Sequence, residues 1–348
     1  MTFASALYDG LFADPDMAAL WNADAQTAHM LAFEAAFSRA MGQAGRFDGD
    51  LAARAADHIA SFSPDRADLS AGSARDGLPV PALVRQLKAG AGDAAAAIHA
   101  GATSQDVLDT ALALTLQATS DLIDARLAAL VLALSDLSAR HGDAPLMART
   151  RMQAALPVTV ADRIRTWRAP LVDHRARLTL LRAETERLSL AGPTGSTDFA
   201  DVAGPMADTL GLMTAPLSWH TDRSGVVSYA HLLALISGSL GKMGQDVALM
   251  AQQGIGEVTL TGGGGSSAMA HKHNPILAEL LVTLARFNAG QAGIMGQTMV
   301  HEQERSGAAW ALEWMVLPLM AQATGRALTA AAQLVGSITD MGEPHKSV

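Results

Sequence analysis

The spacing of apolar residues predicts helices along most of the chain. From about Thr103, apolar side chains recur at steps of three, four or seven residues, as in a helix that packs along one face. These positions are Leu108, Leu112, Leu116, Ile123, Leu127, Leu130, Leu134 and Leu137. A helix of about 30 residues would be roughly 45 to 50 Å long at 1.5 Å per residue, so it needs neighbours of similar length.

The same spacing predicts four further long helices. They cover about residues 158–190, 223–253, 275–299 and 305–334. Pro318 predicts a kink in the last of them. Shorter helices are predicted over about residues 16–41, 50–60 and 82–88, with a helical turn at 93–99 and a loop over 63–81.

These elements predict an all-α fold, a bundle of long helices. We expect an N-terminal helical domain over residues 1–98, a central bundle domain over 99–340 and a tail over 341–348. The apolar stripes are wider than one chain can cover, which indicates oligomerisation through helix faces.

Composition supports this fold class and excludes several kinds of chemistry. Hydrophobic residues make up 49% of the 348 positions, but aromatic residues only 4%, which favours helices over β-sandwiches. There is no cysteine, which excludes disulfides, cysteine nucleophiles, thiolate metal sites and iron–sulfur clusters. A net charge of −9 argues against nucleic-acid binding, but a small anion could still be held inside one cleft.

The sequence also predicts a cytoplasmic protein that does not enter a membrane. Its first 17 residues have neither the basic start nor the apolar stretch of a signal peptide. The most apolar run, residues 127–134, is far too short to span a bilayer.

Three polar segments interrupt the helices, and two of them have competing interpretations. The first, HAGATSQD (residues 99–106), carries Thr103, Ser104 and Asp106, which are either N-caps or part of an anion site at a helix start. The second, APLMARTRMQAALP (residues 144–157), is either a solvated basic loop or a carboxylate-binding segment. Its candidate side chains are Arg149, Thr150, Arg151 and Gln153.

The third segment is GGGGSSAMAHKHNP, residues 262–275. As a linker it would be unusually long for a bundle, because most such connections need only about 2 to 8 residues. Glycines let the backbone approach a ligand, and Ser266, Ser267, Lys272 and Asn274 add hydroxyls, a cation and an amide. The segment is not a P-loop, since no G-x-x-x-x-G-K-[ST] pattern is present.

Neither of two short histidine patterns predicts a metal site. His271 and His273 are two residues apart and would not share a helix face. The sequence HEQER (residues 301–305) has Arg305 where a zincin needs its second histidine. We therefore expect neither a metal nor another cofactor.

Together the three segments resemble the active-site segments of the fumarase/aspartase superfamily. The third is similar to the signature G-S-S-x-M-P-x-K-x-N-P, with Ala270 in place of the proline, and the other two follow in the superfamily's order. The resemblance covers about residues 1–340. It implies a homotetramer built on a 20-helix bundle, with each active site assembled from three subunits.

One branch of this superfamily is more similar than the others. HEQERSGAAWALEW, residues 301–314, resembles the bacterial cycloisomerases that act on 3-carboxy-cis,cis-muconate, which would make the substrate a small tricarboxylate. Fumarase, argininosuccinate lyase and adenylosuccinate lyase use a histidine where this chain has Arg151. The alternatives are a different member of the superfamily, a lyase that releases fumarate, with adenylosuccinate lyase first, or a non-catalytic helical scaffold.

The chain also ends about where the superfamily's third domain would begin, so we expect that domain to be reduced or absent.

The resemblance also assigns roles to the candidate residues. Ser266 is the first candidate for proton transfer, with Ser267 beside it, and His99 and His141 are the alternatives. The residues expected to bind substrate carboxylates are Thr103, Ser104, Arg149, Arg151, Gln153, Lys272, Asn274 and Arg305. Trp310 and Trp314 belong either to the site or to the bundle core.

Overall fold

The computed structural model describes residues 6–265, 269 and 272–343, and most of them are helical. The α-helices are α1 Asp9–Phe12, α2 Pro15–Leu20, α3 Ala23–Gln43, α4 Gly49–Ala60, α5 Arg66–Asp76, α6 Val80–Ala89, α7 Ser104–His141, α8 Val160–Thr185, α9 Ala200–Leu210, α10 Ser224–Met250, α11 Ile276–Gln297 and α12 Ala308–Ser337. Short 3₁₀ helices cover Ala6–Tyr8 and Gly92–Ala97. The strands are β1 Pro145–Thr150, β2 Gln153–Thr159, β3 Val258–Leu260 and β4 Ile338–Met341.

Helices α3 to α6 and α9 form a layer with its own apolar core. Phe33, Phe37, Ile59 and Leu83 are fully buried in this core. Val107, from the first turn of α7, is buried in the same cluster, so the layer packs against the start of the longest helix. The predicted domain boundary between residues 98 and 99 stays a prediction.

The predicted loop over residues 63–81 is wrong, because it contains helix α5. Asp65 caps this helix by accepting hydrogen bonds from the amides of Ala67 and Asp68, at 2.9 and 3.3 Å. Gly77 ends it with a φ of 81°, a left-handed conformation that suits glycine. The helix buries only Leu69 and Gly72, so the apolar spacing that reveals other helices is missing here.

The long bundle consists of α7, α8, α10, α11 and α12, as the apolar spacing predicted. Helix α7 has 38 residues, and the predicted stripe from Leu116 to Leu137 is buried along its length. Leu108 and Leu112 are only partly buried, because they border a cavity. Pro318 lies inside the continuous helix α12.

Helix α10 lies at the centre of the bundle, in contact with α8, α11 and α12. Among the described residues, it is the one helix long and apolar enough to cross a membrane. However, 61% of its most apolar stretch is buried inside the protein. A helix in a protein core can be as long and as apolar as a membrane-spanning helix. The buried side chains of α10 pack in the bundle core.

In the described part of the chain, two small antiparallel sheets join the ends of the bundle helices, and an all-α prediction did not include them. Strands β1 and β2 form a hairpin whose two turn residues, Arg151 and Met152, have φ values of 48° and 67°. Asn-Gly and Asp-Gly are the usual signals of such a turn, so Arg-Met gave no local indication of it. Strands β3 and β4 pair residues about 80 positions apart in the chain, which local patterns cannot reveal.

The close contact between α10 and α11 gives a test of this packing. A Cβ atom at Gly244 would lie 2.5 Å from the Ala278 carbonyl oxygen, whereas one at Gly238 on the same helix would meet no atom of the described residues within 4 Å. We expect Gly244→Ala to lower the free energy of unfolding by about 1 to 3 kcal/mol through overpacking. Gly238→Ala should raise it by up to about 1 kcal/mol because alanine favours the helix.

Urea denaturation of the two variants and the parent protein checks this prediction. Equal midpoints for Gly244→Ala and Gly238→Ala would contradict the close helix approach.

Candidate active site

The start of helix α7 is built around the buried carboxylate of Asp106. One oxygen accepts hydrogen bonds from the backbone amides of Thr103 and Gly192, at 2.9 and 3.0 Å. The other accepts from the Ala191 amide and from the His220 ring, both at 2.9 Å. Asp106 therefore joins three segments of the chain at one point, and its own position in the first helical turn favours its negative charge.

Arg305 holds the first residues of α7 from the opposite side. Its guanidinium donates to Thr103 Oγ1 at 3.1 Å, to Gln105 Oε1 at 2.9 Å and to the Pro193 carbonyl at 3.1 Å. Helix N-termini attract anions through their free amides and dipole, and a guanidinium adds a fixed positive charge. This end of the bundle therefore has the chemistry of a carboxylate-binding site.

A fourth polar segment borders this site, and the sequence interpretation missed it. Residues 191–198, AGPTGSTD, lie beside the start of α7, where Thr194 and Ser196 share a hydrogen bond of 2.8 Å between exposed hydroxyls. At Gly192 a Cβ would lie 2.1 Å from Thr197 Oγ1, so only glycine fits. The combination of glycine, proline, serine and threonine between two helical patterns was the available signal.

His99 forms a dyad with a buried glutamate of helix α3. Its Nδ1 atom lies 2.6 Å from Oε1 of Glu34, whose side chain is fully buried. The second Glu34 oxygen has no hydrogen-bond partner among the residues that the structure describes. His99 also has a φ of 54°, which is uncommon outside glycine. A carboxylate that holds one ring nitrogen fixes the ring's orientation, as in catalytic triads.

The second predicted segment lies at the other end of α7. Arg149 donates to the buried carboxylate of Glu257, which directly precedes strand β3. Arg151 and Gln153 are exposed at the tip of the β1–β2 hairpin. His141 is the last residue of α7, and its Nδ1 lies 3.8 Å from an Asp340 oxygen, too far for a hydrogen bond.

The glycine-rich segment lies at this same end, between β3 and α11. Gly264 and Asn274 exchange backbone hydrogen bonds of 3.0 and 2.9 Å, which close the base of the segment. Lys272 is exposed and Asn274 is half-buried. Ser266 and Ser267 lie outside the described residues.

Within the described part of one chain, the predicted residues therefore do not come together. His99, Thr103, Ser104 and Arg305 lie at what we call the Thr103 end of the bundle. The other group, at what we call the Lys272 end, contains His141, Arg149, Arg151, Gln153, Lys272 and Asn274. Helix α7 separates the two ends, and its 38 residues span roughly 57 Å at 1.5 Å per residue.

A buried ion cluster lies behind the Thr103 end. Arg223 is fully buried between Asp109 and Glu313, with nitrogen–oxygen distances of 2.9 and 2.6 Å. Burial opposes its charge, but the two carboxylates outweigh that effect and hold the pKa of Arg223 above its usual value. Burial raises the pKa of Glu313, although Arg223 beside it acts in the opposite direction.

Gln105 connects this cluster to the candidate site. Its Nε2 atom donates to Asp109 at 3.1 Å, while its Oε1 accepts from Arg305. Among the residues that the structure describes, no group of three His, Asp or Glu side chains could hold a metal ion. The cations, amides and hydroxyls of the two ends suit the binding of a small polycarboxylate.

The chain is similar to known proteins over most of its length. Residues 12–289 match the family described as lyase. The 3-carboxy-cis,cis-muconate cycloisomerase of Pseudomonas aeruginosa is 36% identical over 344 residues, which cover 95% of this chain and 75% of that relative.

Two solved structures are similar over nearly the whole chain. The 3-carboxy-cis,cis-muconate lactonizing enzyme from Pseudomonas putida has a TM-score of 0.90 and 34% identity, covering 96% of this chain and 77% of that one. Fumarate lyase from Mesorhizobium sp. BNC1 has a TM-score of 0.88 and 31% identity, covering 95% and 76%. Since the family match spans most of the sequence and the fold agrees, the chain belongs to the lyase family of the fumarase/aspartase superfamily.

Proposed function

We propose that this protein is a cytoplasmic cycloisomerase that converts 3-carboxy-cis,cis-muconate into 4-carboxymuconolactone. The observation that carries the proposal is the carboxylate-binding chemistry of the Thr103 end, where Arg305 holds the start of α7. The cycloisomerase of P. aeruginosa supports it as a relative that shares 36% identity over 95% of this chain. Arg151, in place of the histidine that fumarate-releasing members use, supports it further.

We further propose that the protein is a homotetramer whose active sites combine residues of different subunits. The two groups of site residues lie roughly 57 Å apart along α7, so they can meet only between copies of the chain. Large apolar side chains are exposed on the bundle helices, as expected for faces that pack against other subunits. They include Leu132, Leu180, Leu235, Ile294 and Met315, which are 38% to 73% exposed.

The proposed reaction needs no nucleophile from the protein. A substrate carboxylate, ionised at pH 7, adds to a carbon–carbon double bond, and the adjacent carbon takes up a proton. The start of α7, Arg305 and the Lys272 end of other subunits would hold the carboxylates so that oxygen and alkene are already close. Lys272 and Asn274 would stabilise the negative charge that develops on the conjugated carboxylate.

The carbon is protonated by a general acid, for which Ser266 is the first candidate and His99 and His141 are the alternatives. Glu34 gives the His99 proposal a structural basis, because its buried carboxylate holds one ring nitrogen and leaves the other for proton transfer. The substrate is a small molecule, and the proposal involves no cofactor, nucleic acid or membrane.

Activity on the substrate itself is the first test. We expect the purified protein to remove the conjugated diene absorbance of 3-carboxy-cis,cis-muconate, equally with and without EDTA. Ser266→Ala should lower kcat at least about 100-fold if this serine transfers the proton. A folded parent protein that leaves the absorbance unchanged would contradict the cycloisomerase assignment and direct the search to fumarate-releasing substrates.

Sharing of active sites between subunits can be tested by mixing inactive variants. We expect Arg305→Ala and Lys272→Ala each to be inactive, because each lacks a carboxylate-binding cation. After the two are unfolded and refolded together, about a quarter of the sites should combine intact residues, which restores activity. The matched control mixes Arg305→Ala with Thr103→Ala, two changes at the same end, and should restore none.

The role of Glu34 has its own test. We expect Glu34→Gln to lower kcat by about 10- to 100-fold while KM stays nearly unchanged, because the His99 ring loses its fixed orientation. Asp14→Asn is the control, since Asp14 is another buried carboxylate but pairs with Arg126. Steady-state kinetics that give Glu34→Gln the parent kcat would exclude His99 from proton transfer.

A further inference from the structure

A cavity of about 320 Å³ lies between the N-terminal layer and the bundle. Its walls are mainly apolar and include Trp21, Met30, Leu108, Leu112, Trp314 and Leu317. Small-molecule sites begin at about this size and are lined in this way, with a few polar groups among apolar and aromatic side chains. Trp314 also stacks edge-on against the buried Trp310, at 4.8 Å between ring centroids, so this wall is held in place.

Gln322 supplies a free polar group on the cavity wall. Its side chain is 6% exposed and makes no hydrogen bond within the described part of the chain. By contrast, Gln26 on another wall donates to Thr115 Oγ1 at 2.9 Å, and the Trp21 ring nitrogen donates to Thr119 Oγ1 at 3.0 Å. Its amide has both a donor and an acceptor to offer, so Gln322 is suited to bind a ligand that both donates and accepts a hydrogen bond.

The charges around the cavity select against an anion. Asp109 and Glu313 both line it, and Arg223, which neutralises one of them, is fully buried behind the wall. Two carboxylates with one cation leave a net negative charge when both are ionised. A carboxylate ligand, including the tricarboxylate of the proposed function, is therefore disfavoured here.

Pro318 adds an acceptor on the same wall. Because proline has no amide hydrogen, the Trp314 carbonyl lacks the hydrogen bond that position 318 would otherwise donate within the helix. Both residues line the cavity. A hydroxyl group on a ligand is the kind of donor that such a carbonyl accepts.

We propose that this cavity binds a neutral aromatic molecule with a single ring and a hydroxyl group, such as a phenol. The ring would lie between Trp21 and Trp314, with aromatic contacts that a small ring can make on both sides. The hydroxyl would pair with Gln322. This site is distinct from the proposed substrate-binding residues and goes beyond the proposed reaction.

The cavity is nevertheless connected to the candidate active site. Ser104, Leu108 and Leu112 follow one another at steps of four on one face of α7, so the cavity begins one turn beyond Ser104. Gln105 bonds both Asp109 in the wall and Arg305 at the site. A ligand in the cavity would therefore contact the same wall, at Asp109, that Gln105 connects to Arg305 and the start of α7.

Direct binding tests the proposal without any turnover. Fluorine NMR of 4-fluorophenol titrated with the intact protein should give a Kd on the order of 0.1 to 1 mM. In Arg305→Ala, which lacks the carboxylate-binding cation of the Thr103 end, binding of 4-fluorobenzoate, which has the same ring but a carboxylate, should be at least about tenfold weaker than binding of 4-fluorophenol. Because no substrate is present, the result is independent of whether the protein is a cycloisomerase.

Two variants locate the bound ligand. Leu112→Trp fills the cavity and should abolish 4-fluorophenol binding, as judged in folded protein by circular dichroism. Gln322→Leu keeps the volume and should weaken 4-fluorophenol about tenfold while leaving fluorobenzene unchanged. Gln333→Leu, an exposed position on the same helix, is the matched control and should bind like the parent.

Three outcomes would overturn the proposal. One is no saturable binding of 4-fluorophenol, and another is equal affinity of Arg305→Ala for 4-fluorophenol and 4-fluorobenzoate. The third is unchanged 4-fluorophenol binding in Gln322→Leu, which decides the question even if Leu112→Trp does not fold.

Discussion

The buried carboxylate of Asp106 is the interaction on which the candidate site depends. It takes four hydrogen bonds at 2.9 to 3.0 Å, from Thr103, Ala191, Gly192 and His220, and so fixes the start of α7 against two loops that are distant in sequence. Only with these segments in place can Arg305 reach Thr103, Gln105 and the Pro193 carbonyl at once. A carboxylate in this position is favourable because the helix dipole and the backbone amides replace the water it loses.

The length of α7 also affects which site residues can lie close together. Its leucine stripe requires long neighbours, and the resulting bundle keeps the first polar segment far from the second and third. Within the described part of one chain, Thr103 and Arg305 therefore lie far from Arg149, Lys272 and Asn274. Exposed apolar side chains on the same helices give the chain a physical reason to associate. The long helices that stabilise the fold therefore also set the distance between the polar segments at their two ends.

Charge is distributed unevenly around the Thr103 end. The whole chain carries a net charge of −9, yet Arg305 presents a cation where a carboxylate would bind, while Asp109 and Glu313 place negative charge on the wall of the neighbouring cavity. The two adjoining regions thus differ in charge, although Gln105 links them by hydrogen bonds. Overall charge was a poor guide to either region, because short-range groups determine the potential within a cleft.

The sequence by itself determined the long helices and the first three polar segments, because apolar spacing and runs of glycine and polar residues are local signals. It did not reveal α5, which buries too few apolar residues, or the β1–β2 hairpin, whose Arg151–Met152 turn lacks the usual residues. The contacts that make a site were decided only in three dimensions: Glu34 and His99 are 65 residues apart, and Thr103 and Arg305 are 202 apart. The cavity between Trp21 and Trp314 likewise exists only because α2, α7 and α12 pack together. Such pairings depend on how whole helices pack, which no short stretch of sequence encodes.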